Sequence, residues 1–206
     1  LKGTHNFCYL SMVSNENSQS TGSRLINDTL TSNREGASFS LENKVPSSNI
    51  GDSYSSLINF RLYRHGYSSD ISKCYLRVKV DELTSRLRLC YWYKDPERMQ
   101  DPVIYIRTTM DFGDSIAALV IRIIQLKFLM AATRIDLVKE VLLKGAYADN
   151  YNSSFRTVEE YNCVRDEMNR IHDSIGLPLK GPYTDVGTDP GILKKLAKED
   201  GESPTY

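Results

Sequence analysis

The stretch Gly145-Ala146-Tyr147-Ala148-Asp149-Asn150 constrains this chain more than any other. An amphipathic helix pattern ends just before it, near Leu143-Lys144, and a capped helix pattern starts soon after it, at Thr157. The sequence between reads as a tight turn joining two short strands, with an acidic residue on the turn. Such a turn is a common way to hold a metal ion. A second acidic residue, Asp70, sits in a similar setting in Gly66-Tyr67-Ser68-Ser69-Asp70-Ile71. The two aspartates are expected to meet across one sheet. On local sequence alone the plainer reading, a hairpin turn, is favoured, because Asp and Asn tolerate left-handed backbone.

With 206 residues the chain makes one large domain or two small ones. Formal net charge is zero, so no global basic field announces a nucleic-acid partner. Charge is nonetheless uneven: Phe60 to Cys90 holds seven Lys/Arg against three acids. Solvated faces often carry such runs. Cys8, Cys74, Cys90 and Cys163 show no C-x-x-C spacing, which argues against a zinc site or a disulfide framework and fits a reducing compartment. No signal peptide is expected. The most apolar stretch, Ile116 to Ala132, is interrupted by Arg122, Gln125 and Lys127 and reads as a buried helix rather than a membrane span. The first residue is Leu rather than Met, which suggests a fragment or a processed piece.

A helix capped by Asp52 or Ser53 is expected to run to about Arg64, with Tyr54, Leu57, Ile58 and Leu62 at helical spacing and His65-Gly66 as its stop. Tyr67 to Ile71 reads as a short strand. Tyr75 to Val80 alternates as a half-buried strand would. Arg86 to Tyr93 and Val103 to Arg107 read as an antiparallel pair. Gly113-Asp114-Ser115 opens the apolar helix, and a second helix covers about Thr133 to Leu143. Thr157-Val158-Glu159-Glu160 matches a capping box. Val158, Tyr161, Val164, Met168, Ile171 and Ile175 mark that helix's buried stripe, and Gly176 ends it. Leu177 to Leu179 reads as another strand, and Pro190 to Lys198 as a short basic helix. Irregular alternation of strands and helices points to an α+β layer rather than a doubly wound sheet.

Collinear motifs carry a resemblance along nearly the whole chain. They are Arg24-Leu25-Ile26-Asn27-Asp28, Ser69-Asp70 followed by Tyr75, Phe112-Gly113-Asp114-Ser115, and Tyr147-Ala148-Asp149-Asn150 with Thr157-Val158-Glu159-Glu160 behind it. In this order they resemble the reverse transcriptase of BEL/Pao-type LTR retrotransposons, whose Tyr-x-Asp-Asp box the fourth motif is similar to. The chain departs from the pattern at Asn150, where the box has a second Asp. It also departs at Ala118, where a proline usually closes the middle motif, and at Asn27, usually apolar. No thumb, protease or RNase H segment is matched.

The resemblance implies an α+β fold of fingers (about 9–65 and 84–110) and palm (about 66–83 and 111–182, with an antiparallel sheet packed on helices), followed by a short helix and polar tail at 183–206. It implies an RNA-directed DNA polymerase, a nucleotidyltransferase that uses two magnesium or manganese ions. Asp70 and Asp149 are the implied metal ligands, and Asn150 would complete the catalytic set with a neutral amide. Arg24, Tyr75 and Gly113 are the implied nucleotide-binding residues: the first for the triphosphate, the second to exclude a ribose 2′-hydroxyl, the third for close backbone approach. Each has a plainer reading, as a surface ion pair, a core aromatic and a helix-start turn. Implied partners are an RNA/DNA primer-template, deoxynucleotides and the remaining parts of a retroelement polyprotein, with no membrane. The implied location is intracellular, in the cytoplasm or a retroelement particle. The alternative is an inactive, decayed or repurposed relative that binds nucleic acid or a protein; a structural domain with no ligand is the third reading.

Overall fold

In the computed structural model the described residues are 9–14, 23–28, 52–95 and 97–183, the first two stretches by their backbone alone. The expected helix at Pro190 to Lys198 lies outside them. The chain is a mixed α+β fold with a small antiparallel sheet packed against helices. Its contacts divide it into two units, Leu1–Ile50 with Lys73–Ile124, and Gly51–Ser72 with Gln125–Tyr206. In the order of the chain the elements of the first unit are β1 (Tyr9–Ser14), β2 (Ser23–Asp28), α2 (Glu82–Arg86), β4 (Leu89–Asp95), β5 (Gln100–Ile106) and α3 (Ala117–Ile124). Those of the second are α1 (Ser53–Arg61), β3 (His65–Ile71), α4 (Asp136–Glu140), β6 (Ala146–Tyr147), β7 (Asn150–Phe155), α5 (Val158–Ser174) and β8 (Leu179–Tyr183). The helix of α3 runs on through a π-helical turn, Gln125–Leu129, and α4 runs on through another, Val141–Gly145.

The second unit is built on a four-stranded antiparallel sheet in the order β6-β7-β3-β8. Side chains alternate across a strand, so β3 shows one face through Tyr67, Ser69 and Ile71, all buried, and the other through Gly66, Ser68 and Asp70. The first face is the apolar one. Tyr67, Phe155 and Tyr161 of α5 meet edge-on with centroids 6.0–6.3 Å apart. Burial pushes the Tyr67 phenol up to about 12. Val164, Met168 and Ile171 of α5, with Val138, Val141 and Leu142, fill the rest of this core. Thr157 caps α5, its hydroxyl accepting from Glu160 N at 3.2 Å. The Glu160 carboxylate accepts from Arg156 N at 2.9 Å, one residue ahead of the capping-box position. Gly176, at φ +72, closes the helix as its left-handed cap.

The opposite sheet face is small and polar, and α1 covers it. The apolar spacing expected to define the buried side of α1 is therefore misleading. Tyr54, Leu57, Ile58 and Leu62 are exposed, and Ser56 is the buried position. Nor is Gly66 the helix stop: α1 ends at Arg61, and Gly66 lies inside β3 beneath the Phe60 ring, where a Cβ would come within 3.1 Å of ring carbons.

In the first unit β4 and β5 pair with Tyr91 opposite Ile104 and Trp92 opposite Val103, as the expected antiparallel pair, although Arg86 belongs to α2. The strand expected at Tyr75 to Val80 is instead a 3-10 turn, Tyr75–Arg77, followed by a single bridge from Lys79 to Thr109. Tyr75 O accepts from Val78 N at 3.0 Å, which closes the backbone on itself and removes it from a ladder. The long apolar helix buries only one stripe, Ala117, Ile121, Gln125 and Leu129, and leaves Ile123, Leu126 and Phe128 exposed. Val158 and Ile175 of α5 are likewise exposed, and His172 takes the buried place. The last strand begins at Leu179 rather than Leu177, because Pro178 has no N–H to give a ladder. Among the described residues no helix is long and apolar enough to cross a membrane.

His172 is fully buried, edge-on to Tyr151, with Nδ1 2.9 Å from Leu177 O. Burial pulls its pKa down to about 4, against the upward pull of that carbonyl and of Asp173. The folded chain holds the ring neutral where the unfolded chain protonates it near 6.5. This contribution is complete above pH 6.5 and is lost as the pH falls to about 4; the full span is worth on the order of 3 kcal/mol. Compared by urea unfolding between pH 7 and pH 4, His172→Leu is expected to lack this contribution, so that its stability falls less, or rises more, with acid than the native chain's. An unchanged acid slope in the variant would assign the loss to other groups.

Candidate functional site

The register of β3 on β7 places Asp70 directly opposite Asn150, on the same sheet face. Asp149 is the second residue of the two-residue turn that joins β6 to β7, where Tyr147 pairs with Asn150. Its carbonyl accepts from Ile71 N at 3.0 Å, so the turn is fastened to the end of β3 beside Asp70. Asp70 and Asp149 are half-buried and Asn150 is exposed. The structure thus brings all three together at one end of the sheet.

Ala148, the first turn residue, has φ +50. Two-residue hairpins take primed turns that need this sign, yet a side chain there is disfavoured. Its carbonyl accepts from Gln125 Nε2 at 2.9 Å. Gln125 is fully buried at the start of the π-helical turn. Behind the turn lies a chain of polar contacts. Ser56 Oγ donates to Gly145 O at 3.0 Å, Asn152 Nδ2 donates to Ser56 Oγ at 3.2 Å, and Ser68 Oγ donates to Asn152 Oδ1 at 2.9 Å. Asn59 Nδ2 reaches Lys144 O, and Ser154 Oγ bonds both Asn59 O and Tyr63 N. These bonds tie α1 to the segment that enters the turn and to β7.

As a donor set the site offers two carboxylates and one amide oxygen, all hard oxygens of the kind magnesium or manganese takes. Among the described residues no group of three or more His, Cys, Asp or Glu is placed to hold a metal. Two carboxylates and one amide are fewer ligands than such a cation takes, so any cation held here would bring further oxygen ligands of its own. No protein-family model matches the chain, and no curated protein matches it either.

The other three candidate residues belong to the first unit. Arg24 lies on β2 opposite Val13, its side chain outside the described residues. Tyr75 is half-buried and packs edge-on against Phe112, with centroids 5.2 Å apart. Gly113 follows Phe112, exposed and at φ +99, a conformation open to glycine and strained for other residues. Tyr75 and Gly113 thus both lie beside Phe112, one through its ring and the other through the chain.

Asp114 does more than open a helix. It forms a buried ion pair with Arg88, and Asp111 forms another with Arg107. Asp114 Oδ2 also accepts from Asp111 N at 2.9 Å. Burial pushes the Asp111 carboxyl up to about 6, opposed by Arg107 and Arg88 and assisted by Asp114. The folded form thus binds a proton that the unfolded form releases near 3.8. This contribution is complete below 3.8 and is lost as the pH rises through about 6. The alternating strand pattern gave no hint that Arg88 would be buried, nor does anything local single out Gln125, Ser56 or Asn152.

Two substitutions test how the turn of the second unit and the buried ion pair of the first are held. A Cβ on Gly145 would lie 2.6 Å from Asn152 O, a backbone atom. Gly145→Ala should therefore cost about 1–3 kcal/mol in urea unfolding, and a cost near zero would mean that the backbone of β7 yields freely. Arg88→Met leaves Asp114 buried without its cation and should cost about 3–5 kcal/mol. A cost below about 1 kcal/mol would show that the pair is not buried in solution.

Proposed function

We propose that this chain is a fingers-and-palm fragment of a BEL/Pao-type reverse transcriptase, and that Asp70 and Asp149 are the ligands of its divalent cations. The observation that carries the reading is the juxtaposition of Asp70, Asp149 and Asn150 at one end of the β6-β7-β3-β8 sheet. The collinear motifs give it a chemistry. Bound magnesium or manganese would supply charge stabilisation for nucleotidyl transfer, in which a primer 3′-hydroxyl displaces pyrophosphate from a deoxynucleotide's α-phosphate. The chain's own part is to present two carboxylates from a fixed backbone. The implied nucleotide-binding set is Arg24, Tyr75 and Gly113. In this reading the partners are a primer-template and deoxynucleotides.

A second reading, an inactive relative that binds nucleic acid or a protein, is favoured by Asn150. An amide in the place of the box's second carboxylate keeps size and loses a charge. Ala118, where the pattern has proline, points the same way.

Incorporation of deoxynucleotides on a primed RNA template, dependent on magnesium or manganese and abolished by Asp149→Ala, supports the polymerase. Filter binding of the same template without incorporation supports the second reading. Asn150→Asp is expected to tighten manganese binding in calorimetry by roughly tenfold, the order of one added unit charge in a half-solvated site. Equal affinity in the two proteins would remove position 150 from any metal site.

A further inference from the structure

We infer that Gln125 is a positioning residue that fixes the backbone of the Ala148–Asp149 turn and, through it, the direction of the Asp149 carboxylate. The inference rests on the reading of Asp149 as a metal ligand only in its last step. The first step stands on geometry. Gln125 is fully buried in the middle of an otherwise apolar helical stripe, where a Leu or Met would pack at no polar cost. Its Nε2 donates at 2.9 Å to the carbonyl of Ala148, the residue of the turn with positive φ. The next carbonyl, that of Asp149, accepts from Ile71 N. Successive peptide groups are therefore held by two different elements, one by a side chain and one by a strand end. A two-residue turn with both carbonyls fixed has little freedom left, and the side chain of Asp149 inherits that order.

The helix changes pitch at the residue that makes this contact. Ala117, Ile121, Gln125 and Leu129 are buried at steps of four. In a regular α-helix such steps drift around the axis. The π-helical turn Gln125–Leu129 counters the drift over the last of these steps, from Gln125 to Leu129. π-helical turns of this kind occur often at functional sites. Neither a residue of the turn nor a metal donor itself, Gln125 acts at one remove.

The decisive experiment compares the native chain, Gln125→Met, Ala148→Gly and the double variant by nuclear magnetic resonance. Gln125→Met keeps the volume and removes the donor. It should shift the Ala148 and Asp149 amides, change the Ala148 coupling that reports positive φ, and speed exchange of the Ile71 amide at least tenfold. Amides at the far end of the β3–β7 ladder, near His65, should stay protected. Glycine has no side-chain penalty at positive φ, so the double variant should recover much of the Ile71 protection. A Gln125 that served only to pack the helix would not be rescued from position 148. Unchanged turn signals in Gln125→Met, or no rescue by Ala148→Gly, would overturn the inference. If Gln125→Met does not fold, Gln125→Glu provides the same test in one protein. Its acid form can donate to Ala148 O and its carboxylate cannot, so the turn signals should be native-like at low pH and lost on raising it; signals indifferent to pH would overturn the inference.

Manganese binding by calorimetry separates the two levels. Native binding that is lost in Asp149→Ala and weakened about tenfold in Gln125→Met supports both. Equal binding by the native chain and Gln125→Met overturns the carboxylate-directing step. Binding that Asp149→Ala leaves unchanged overturns the metal reading instead, while the turn signals still decide whether Gln125 positions the turn.

Discussion

The antiparallel ladder between β3 and β7 is the constraint on which the sheet unit depends. A slip of one residue would move every side chain of a strand to the other face. Tyr67 and Ile71 would leave the core, and Asp70 would turn away from Asn150. The register is pinned from both sides. On the apolar face the Tyr67, Phe155 and Tyr161 rings interlock. On the polar face Ser68 meets Asn152, and Gly66 admits the Phe60 ring. The same pairing that buries the core therefore decides which residues share the end of the sheet.

The two faces use different physics. Apolar burial is non-directional and tolerates rearrangement, whereas hydrogen bonds between short side chains hold only in one geometry. The face beneath α1 is of the second kind, through Ser56, Asn59, Asn152 and Ser154. It lies behind the turn that carries Asp149, where placement matters more than bulk stability.

This division also explains what the sequence disclosed. The turn at Ala148-Asp149, the strand that carries Asp70, the cap at Thr157 and the stop at Gly176 all have local signatures, and each was legible. The buried side of α1 was not, because a pattern of apolar residues signals burial only where the partner surface is apolar. Tyr54, Leu57, Ile58 and Leu62 have the spacing of a core stripe and face outward, while Ser56 faces in. Gln125 and Arg88 were hidden for a related reason. A polar residue in an apolar run reads as an interruption until the group that it bonds, far along the chain, is known. The stripe of α5 failed only at its two ends, where Val158 opens the helix and Ile175 caps it, both exposed, while His172 is buried instead.

His172 and Asp111 lie in different units and answer acid in opposite senses. Between about pH 4 and 6 a falling pH withdraws the stabilisation that a neutral imidazole contributes to the sheet, and restores what a protonated carboxyl contributes to the unit of the β4–β5 pair. The two slopes partly cancel in the sum, so the chain as a whole can look indifferent to pH while its parts are not. Acidity then acts less on the total than on its distribution, and on the order in which the two units give way when the chain is heated.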